Sequence, residues 1–168
     1  MNPFWIFLLF VLAQRVFELL IAKRHEKKLK SFGAREIDRG GYAFIVGMHI
    51  AFFVSLVLEK SILNRSPSQW WVILTILFCI AQALRYWAIA SLGIYWNTKI
   101  LIVPNHPLVR NGPYKILRHP NYIAVITELA TIPLIFSCYI TSVSFAILNA
   151  IIIRRRVRIE TQALNRHP

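Results

Sequence analysis

The sequence predicts an all-α integral membrane protein with about five transmembrane helices, a short cytoplasmic connector and a C-terminal helix extending into the cytoplasm. Three observations lead there. Hydrophobic residues make up 57% of the 168, and the mean hydropathy is +0.52, too apolar for an ordinary soluble domain. The apolar residues gather into tracts that approach or exceed the ~20 residues a bilayer span requires. The cations are concentrated in alternate connecting segments. A chain of this length fits one domain over residues 1–168.

The first tract, residues 4–22, is interrupted only by Gln14, Arg15 and Glu18. Its start has no basic n-region and no small-residue cleavage site, so a cleavable signal peptide is not expected. Residues 41–58 and 70–92 supply the second and third spans. The fourth tract, residues 122–153, would be ~48 Å long as one helix, well beyond a ~30 Å hydrocarbon core. It holds Pro133 and the small pair Ser137-Cys138, which predicts two short spans in a tight hairpin.

Lys and Arg number 20. Sixteen lie in residues 23–40, 93–121 and the tail from Arg154, and two lie in residues 59–69. Five spans place the sixteen on one side, the positive-inside pattern. The N-terminus is then outside and the C-terminus cytoplasmic, in a multi-pass cell-membrane protein. A net charge of +13 distributed in this way points to topology and anionic membrane lipids as partners rather than to nucleic acid. Cys79 and Cys138 fall in separate membrane tracts and are expected to be small core residues. No zinc-ligand spacing and no G-x-G-x-x-G occur, so neither a metal site nor a Rossmann-type domain is expected.

Ionisable groups within spans are costly and usually face the protein interior. Arg15 and Glu18 are three apart and share a helix face. Arg85 and Glu128 are expected to pair between helices, with a role in lining a cavity as the alternative. His49 is expected to be a satisfied interior histidine.

The stretch "GPYKILRHPNY", residues 112–122, puts two prolines, a glycine, two tyrosines, a histidine and two cations between apolar runs. Asn111-Gly112-Pro113 signals a turn, with Pro113 opening a short helix. The residue before a proline avoids the α region, so His119 is a break and Pro120 begins the next span. The free N–H groups of that helix start make a place for an anion. In the tail, "IIIRRRVRIETQAL" continues as a helix that puts Asn149, Ile152, Arg156, Glu160 and Leu164 on one face. The expectation is that Arg154, Arg155 and Arg158 turn away toward headgroups or solvent. Together the two stretches offer cations, a carboxylate, an imidazole and aromatic faces, which suit a zwitterionic sulfonium nucleoside. On the residues alone, the same features also serve as turn residues, interfacial aromatics and anchoring arginines.

The segment "LGIYWNTKILIVPNHPLVRNGPYKILRHPNYIAV", followed by a hydrophobic hairpin and "RVRIETQAL", resembles the isoprenylcysteine carboxyl methyltransferase family, most clearly over residues 92–164. The resemblance implies a multi-span membrane enzyme that takes a methyl group from S-adenosylmethionine. The cofactor arrives from the cytosol and an amphiphilic or lipidated acceptor from the bilayer. It implies His119, Pro120 and Tyr122 in the cofactor pocket with Tyr114 near it, and Glu160 as a cofactor contact. Arg118 and Arg156 are implied as catalytic groups near the reacting oxygen. The family's tail carries two adjacent glutamates; here Thr161 replaces the second.

The chain also resembles short bacterial-type members that methylate hydroxyls of alkylpyrones; if it is bacterial, the resemblance favours an alkylpyrone-type hydroxyl as acceptor and implies a type III polyketide synthase as a pathway partner. A carboxylate acceptor needs mainly positioning, whereas an enolic hydroxyl needs help in ionising, from arginine or from His119 as a base. Two alternatives stand beside this reading. One is a membrane reductase using NADPH on a sterol-like lipid, separated by following NADPH oxidation against labelled methyl transfer. The other is a non-enzymatic membrane adaptor, which would show no saturable S-adenosylmethionine binding.

Overall fold

The computed structural model describes residues 2–104 and 109–166. Within them lie five α-helices: α1 (Pro3–Ser31), α2 (Arg39–Leu63), α3 (Trp71–Leu92), α4 (Pro120–Ile135) and α5 (Tyr139–Arg166). Short strands β1 (Arg35–Ile37) and β2 (Ile100–Ile102) pair antiparallel, with Arg35 opposite Ile102. Helices α1 and α2, and α3 with the turn following it, are long and apolar enough to cross a membrane; α4 is a shorter apolar helix of 16 residues.

The long fourth tract breaks at residues 136–138, as its length and composition predict. Ser137 there adopts a left-handed φ of 58°, and its hydroxyl donates to the Ser66 carbonyl. The new helix start is closed from α2: the Glu59 carboxylate accepts from the N–H groups of Ile140 and Thr141, at 3.1 and 2.7 Å. A buried anion at a helix N-terminus meets both orphan donors and the positive end of the dipole.

Toward that hairpin the bundle is apolar. Phe4, Leu8 and Val11 of α1 join Phe52 and Leu56 of α2, Phe78 of α3, and Ile132 and Ile135 of α4 in one core. Deeper toward the other end, the core turns ionic. Glu18 accepts from Arg15 at 2.6 Å and Arg85 at 3.3 Å. Glu128 accepts from Arg85 at 2.8 and 2.5 Å, and also from Arg15. The expected Arg85–Glu128 pair is thus half of a two-cation, two-anion quartet joining α1, α3 and α4. Gln14 adds bonds to Glu18 and Gln82, while His49 bonds the carbonyl of Ile45 in its own helix.

Three features depart from the sequence expectation. Helix α1 does not end with its apolar tract but runs on to Ser31, because its Lys-rich continuation consists mainly of good helix formers and Glu26 meets Lys30 one turn later. The β1–β2 ribbon was not anticipated. It packs Ile37, Ile100 and Ile102 against Ile159, Ala163 and Leu164 of α5. Cys79 is exposed and not part of the core, whereas Cys138 is buried as expected.

Candidate functional site at the start of helix α4

The connector between α3 and α4 is held at both edges. Trp96 is buried; its carbonyl accepts from His25 at 2.9 Å, and Asn97 donates to the Ala22 carbonyl at 2.8 Å. Lys99 reaches Glu26 at 2.8 Å and Glu36 at 3.3 Å. The hydrogen bond to Glu26 is the chief reason that its ammonium is held above the usual lysine range.

Further along, Gly112 opens a 3-10 turn (Gly112–Lys115) at φ +55°, and a Cβ there would lie 2.0 Å from the Ser91 hydroxyl of α3. Glycine is required on both counts, conformation and close approach. His119 then takes an extended φ of −137° and α4 begins at a buried Pro120, the break and restart that the two prolines predict.

Just inside that start, the Tyr122 hydroxyl donates to the Glu160 carboxylate and accepts from Arg156 Nε at 2.8 Å. A second Arg156 nitrogen donates to the Thr98 carbonyl at 2.6 Å, which ties the tail helix to the connector. The Arg156 guanidinium also lies 5.8 Å from the Tyr122 ring centre. The His119 ring stacks on Tyr122 at 5.2 Å, and its Nδ1 is 4.0 Å from Glu160. Burial, with the Glu160 carboxylate adding to it, pushes the Tyr114 phenol well up; it remains a neutral hydrogen-bonding group.

His119, Pro120, Tyr122, Arg156 and Glu160, read from two stretches 34 or more residues apart, therefore meet at one place. Tyr114 lies within electrostatic range of Glu160. Arg118 is exposed and outside this hydrogen-bonded group. Among the outward arginines, Arg154 and Arg158 are exposed as expected, but Arg155 is an exception: it grips Asp38 at the start of α2, at 2.9 and 3.1 Å.

Two participants were not singled out from sequence. Thr98 acts through its backbone, which leaves no side-chain signature. Asn121 lies inside the quoted stretch, and its buried Oδ1 has no partner among the described residues. An orphaned acceptor on the first turn of α4 is an opening for a ligand's donor. Four residues of the quoted segment, 105–108, lie outside the described residues. A dish of about 400 Å³ at the opposite end is lined by Arg65, Trp70 and Tyr139. It holds no carboxylate or imidazole, and Arg65 is already taken by the Ser137 carbonyl and the Tyr139 ring.

Residues 72–166 match the Isoprenylcysteine carboxyl methyltransferase (ICMT) family. The chain belongs to this family. The matched region contains the connector, the start of α4 and the whole Tyr122–Arg156–Glu160 junction, so the membrane methyltransferase family and the polar site coincide on the chain. Relatives extend the similarity to the first two helices. Uncharacterized protein YpbQ of Bacillus subtilis is 43% identical over 164 residues, 98% of each chain. An uncharacterized protein of Haemophilus influenzae is 29% identical over 156 residues, covering 92% of this chain and 91% of its own. No solved structure matches the chain.

Proposed function

We propose that this ICMT-family protein is an S-adenosylmethionine-dependent O-methyltransferase acting on a lipid-like acceptor resident in the membrane. The observation that carries the reading is the junction of Tyr122, Arg156 and Glu160 beside the start of α4, on top of an apolar bundle. Such a place is reached from water on one side and from the bilayer on the other. Five spans, with the N-terminus outside and this junction on the cytoplasmic side, accord with the charge distribution.

The residues fit the cofactor's chemistry. The orphaned Asn121 acceptor suits an amino or hydroxyl donor. Glu160 gives one oxygen to Tyr122 and has the other for a ribose diol. The stacked faces of His119 and Tyr122 suit a cation or a base plane; Tyr122 and Ile123 give their N–H groups to the His119 carbonyl, so what the start of α4 offers a carboxylate is the positive end of the helix. When bound, the cofactor supplies an electrophilic methyl group on sulfonium.

This chain's own work is positional and electrostatic. Arg156 spends two of its N–H directions on Tyr122 and Thr98, which fixes its plane. Its remaining donors are free to orient an acceptor oxygen and stabilise its negative charge. Arg118 is the second cation proposed for that oxygen. Tyr122 couples the two jobs, because one hydroxyl holds both the carboxylate and the guanidinium in place. For an enolic acceptor of the alkylpyrone type, the finer reading favoured if the chain is bacterial, His119 is the proposed base for the hydroxyl proton. A type III polyketide synthase would then supply the substrate.

The test is to incubate membranes containing the protein with methyl-labelled S-adenosylmethionine and either alkylpyrones or prenylated cysteines. Mass spectrometry then identifies the labelled product. A methyl ether supports the finer reading, a methyl ester supports the carboxylate alternative, and absence of label in both removes the methyltransferase reading.

A further inference from the structure

Helix α1 has 29 residues, ~43 Å at 1.5 Å each, against a hydrocarbon core of ~30 Å. Its last turns must therefore stand at the headgroup level or beyond. Those turns carry Lys23, Arg24, Lys27 and Lys28, all exposed. Seven residues are almost two full turns, so a residue and its seventh successor share a face. Lys23, Arg24 and Lys27 stand directly beyond Val16, Phe17 and Leu20, which are 56%, 58% and 54% exposed. One stripe thus passes from large apolar side chains turned outward to cations turned outward, with no change of direction.

Among the described residues no carboxylate pairs with any of these four. The chain has seven acidic residues, and each is engaged elsewhere. Glu18 and Glu128 belong to the buried quartet, and Glu59 closes α5. Glu26 and Glu36 hold Lys99 and Lys30, Asp38 holds Arg155, and Glu160 takes the Tyr122 hydroxyl. Glu26 lies within the cationic run itself, yet its carboxylate is spent on Lys30 and Lys99.

We infer that the Lys23–Arg24–Lys27–Lys28 face of α1 is a binding site for the phosphate headgroups of anionic lipids. Charge complementarity sets the anion, and continuity with the outward apolar stripe places it in the leaflet that this stripe contacts. Juxtamembrane cations contribute separately, and the attraction is screened by salt.

The test uses purified full-length protein in liposomes of phosphatidylcholine doped with pyrene-labelled phosphatidylglycerol or pyrene-labelled phosphatidylcholine. Energy transfer from the tryptophans reports which lipid sits at the protein. The expected result is a preference for phosphatidylglycerol that weakens with rising salt. It should fall roughly fivefold per cation removed in K27Q and K27Q/K28Q, variants that keep Lys23 and Arg24 as topological anchors. Helicity by circular dichroism and S-adenosylmethionine binding should be unchanged in both, which separates this site from the methyl-transfer reading.

An unaltered phosphatidylglycerol preference in K27Q/K28Q overturns the inference. So does displacement of the labelled lipid by soluble glycerol phosphate at equal concentration, which would mark a free-phosphate site. Loss of binding to a duplex RNA or an acidic peptide, without change in lipid preference, assigns the face to a macromolecule and equally overturns it. If K27Q/K28Q fails to insert, the salt series on the wild-type protein decides: a preference indifferent to salt contradicts a headgroup site.

Discussion

The buried quartet makes a quantitative claim about charge balance. Glu128 and Arg85 have side chains only 3% and 4% exposed, so water screens their interaction little. Replacing Glu128 by Gln leaves two guanidinium groups facing the single Glu18 carboxylate, an uncompensated positive charge in the bundle. Replacing Arg85 by Met leaves two carboxylates around Arg15, an uncompensated negative charge. Breaking one partner of a buried pair costs about 3–5 kcal/mol. Each single variant should therefore lose about 3 kcal/mol, more than a hundredfold in the folding equilibrium. The double variant keeps the Arg15–Glu18 pair at 2.6 Å and restores neutrality. Its loss should fall well short of the sum, with a coupling of roughly 2 kcal/mol or more. Reversible unfolding in mixed micelles of increasing denaturing detergent, followed by emission of the five tryptophans, measures all four proteins. Additive losses would refute the reasoning, because they would mean that the two residues stabilise the bundle independently.

Other predictions concern the site and its supports. Glu160→Ala should weaken S-adenosylmethionine binding by calorimetry while leaving insertion and helicity intact; unchanged affinity removes Glu160 from the cofactor site. Arg156→Ala should depress turnover more than cofactor affinity, and a loss confined to affinity would contradict its role at the acceptor oxygen. Gly112→Ala forces a left-handed alanine, costing about 1–2 kcal/mol, and drives its Cβ to 2.0 Å from the Ser91 hydroxyl. A lowered melting temperature, with faster proteolysis of the connector, is the expected result; a wild-type melt would show that Ser91 simply yields.

The parts legible in sequence were those in which local chemistry leaves little choice. Two prolines bracketing "YKILRH" dictate a turn, a break at His119 and a helix from Pro120, and the structure follows that order. The tail helix is legible as a continuation of the last apolar span, with no Pro or Gly to stop it before residue 165, and with it the shared face of Arg156 and Glu160. Charges inside apolar tracts must find each other, which made Arg85–Glu128 readable although the two lie 43 residues apart.

Where lipid replaces water the hydrophobic pattern loses its meaning. Outward and inward faces of α3 are both apolar, so the sequence does not show that Cys79 looks out. The β1–β2 ribbon is two strands of three residues each, their paired residues 63 or more apart, too short for a period to register. Its place depends on Ile159 and Ala163 of α5, a tertiary partner that no local window contains. Thr98 enters the site through a carbonyl, and any residue at that position would supply one.

The junction of Tyr122, Arg156 and Glu160 is proposed to hold one sulfonium nucleoside. Isothermal titration of the detergent-purified protein with S-adenosylmethionine measures this directly. The predicted result is saturable binding of one nucleoside per chain, weakened in Tyr122→Phe because Glu160 and Arg156 lose their common anchor. Absence of saturable heat in the wild-type protein, or full affinity in Tyr122→Phe and Glu160→Ala alike, would contradict it.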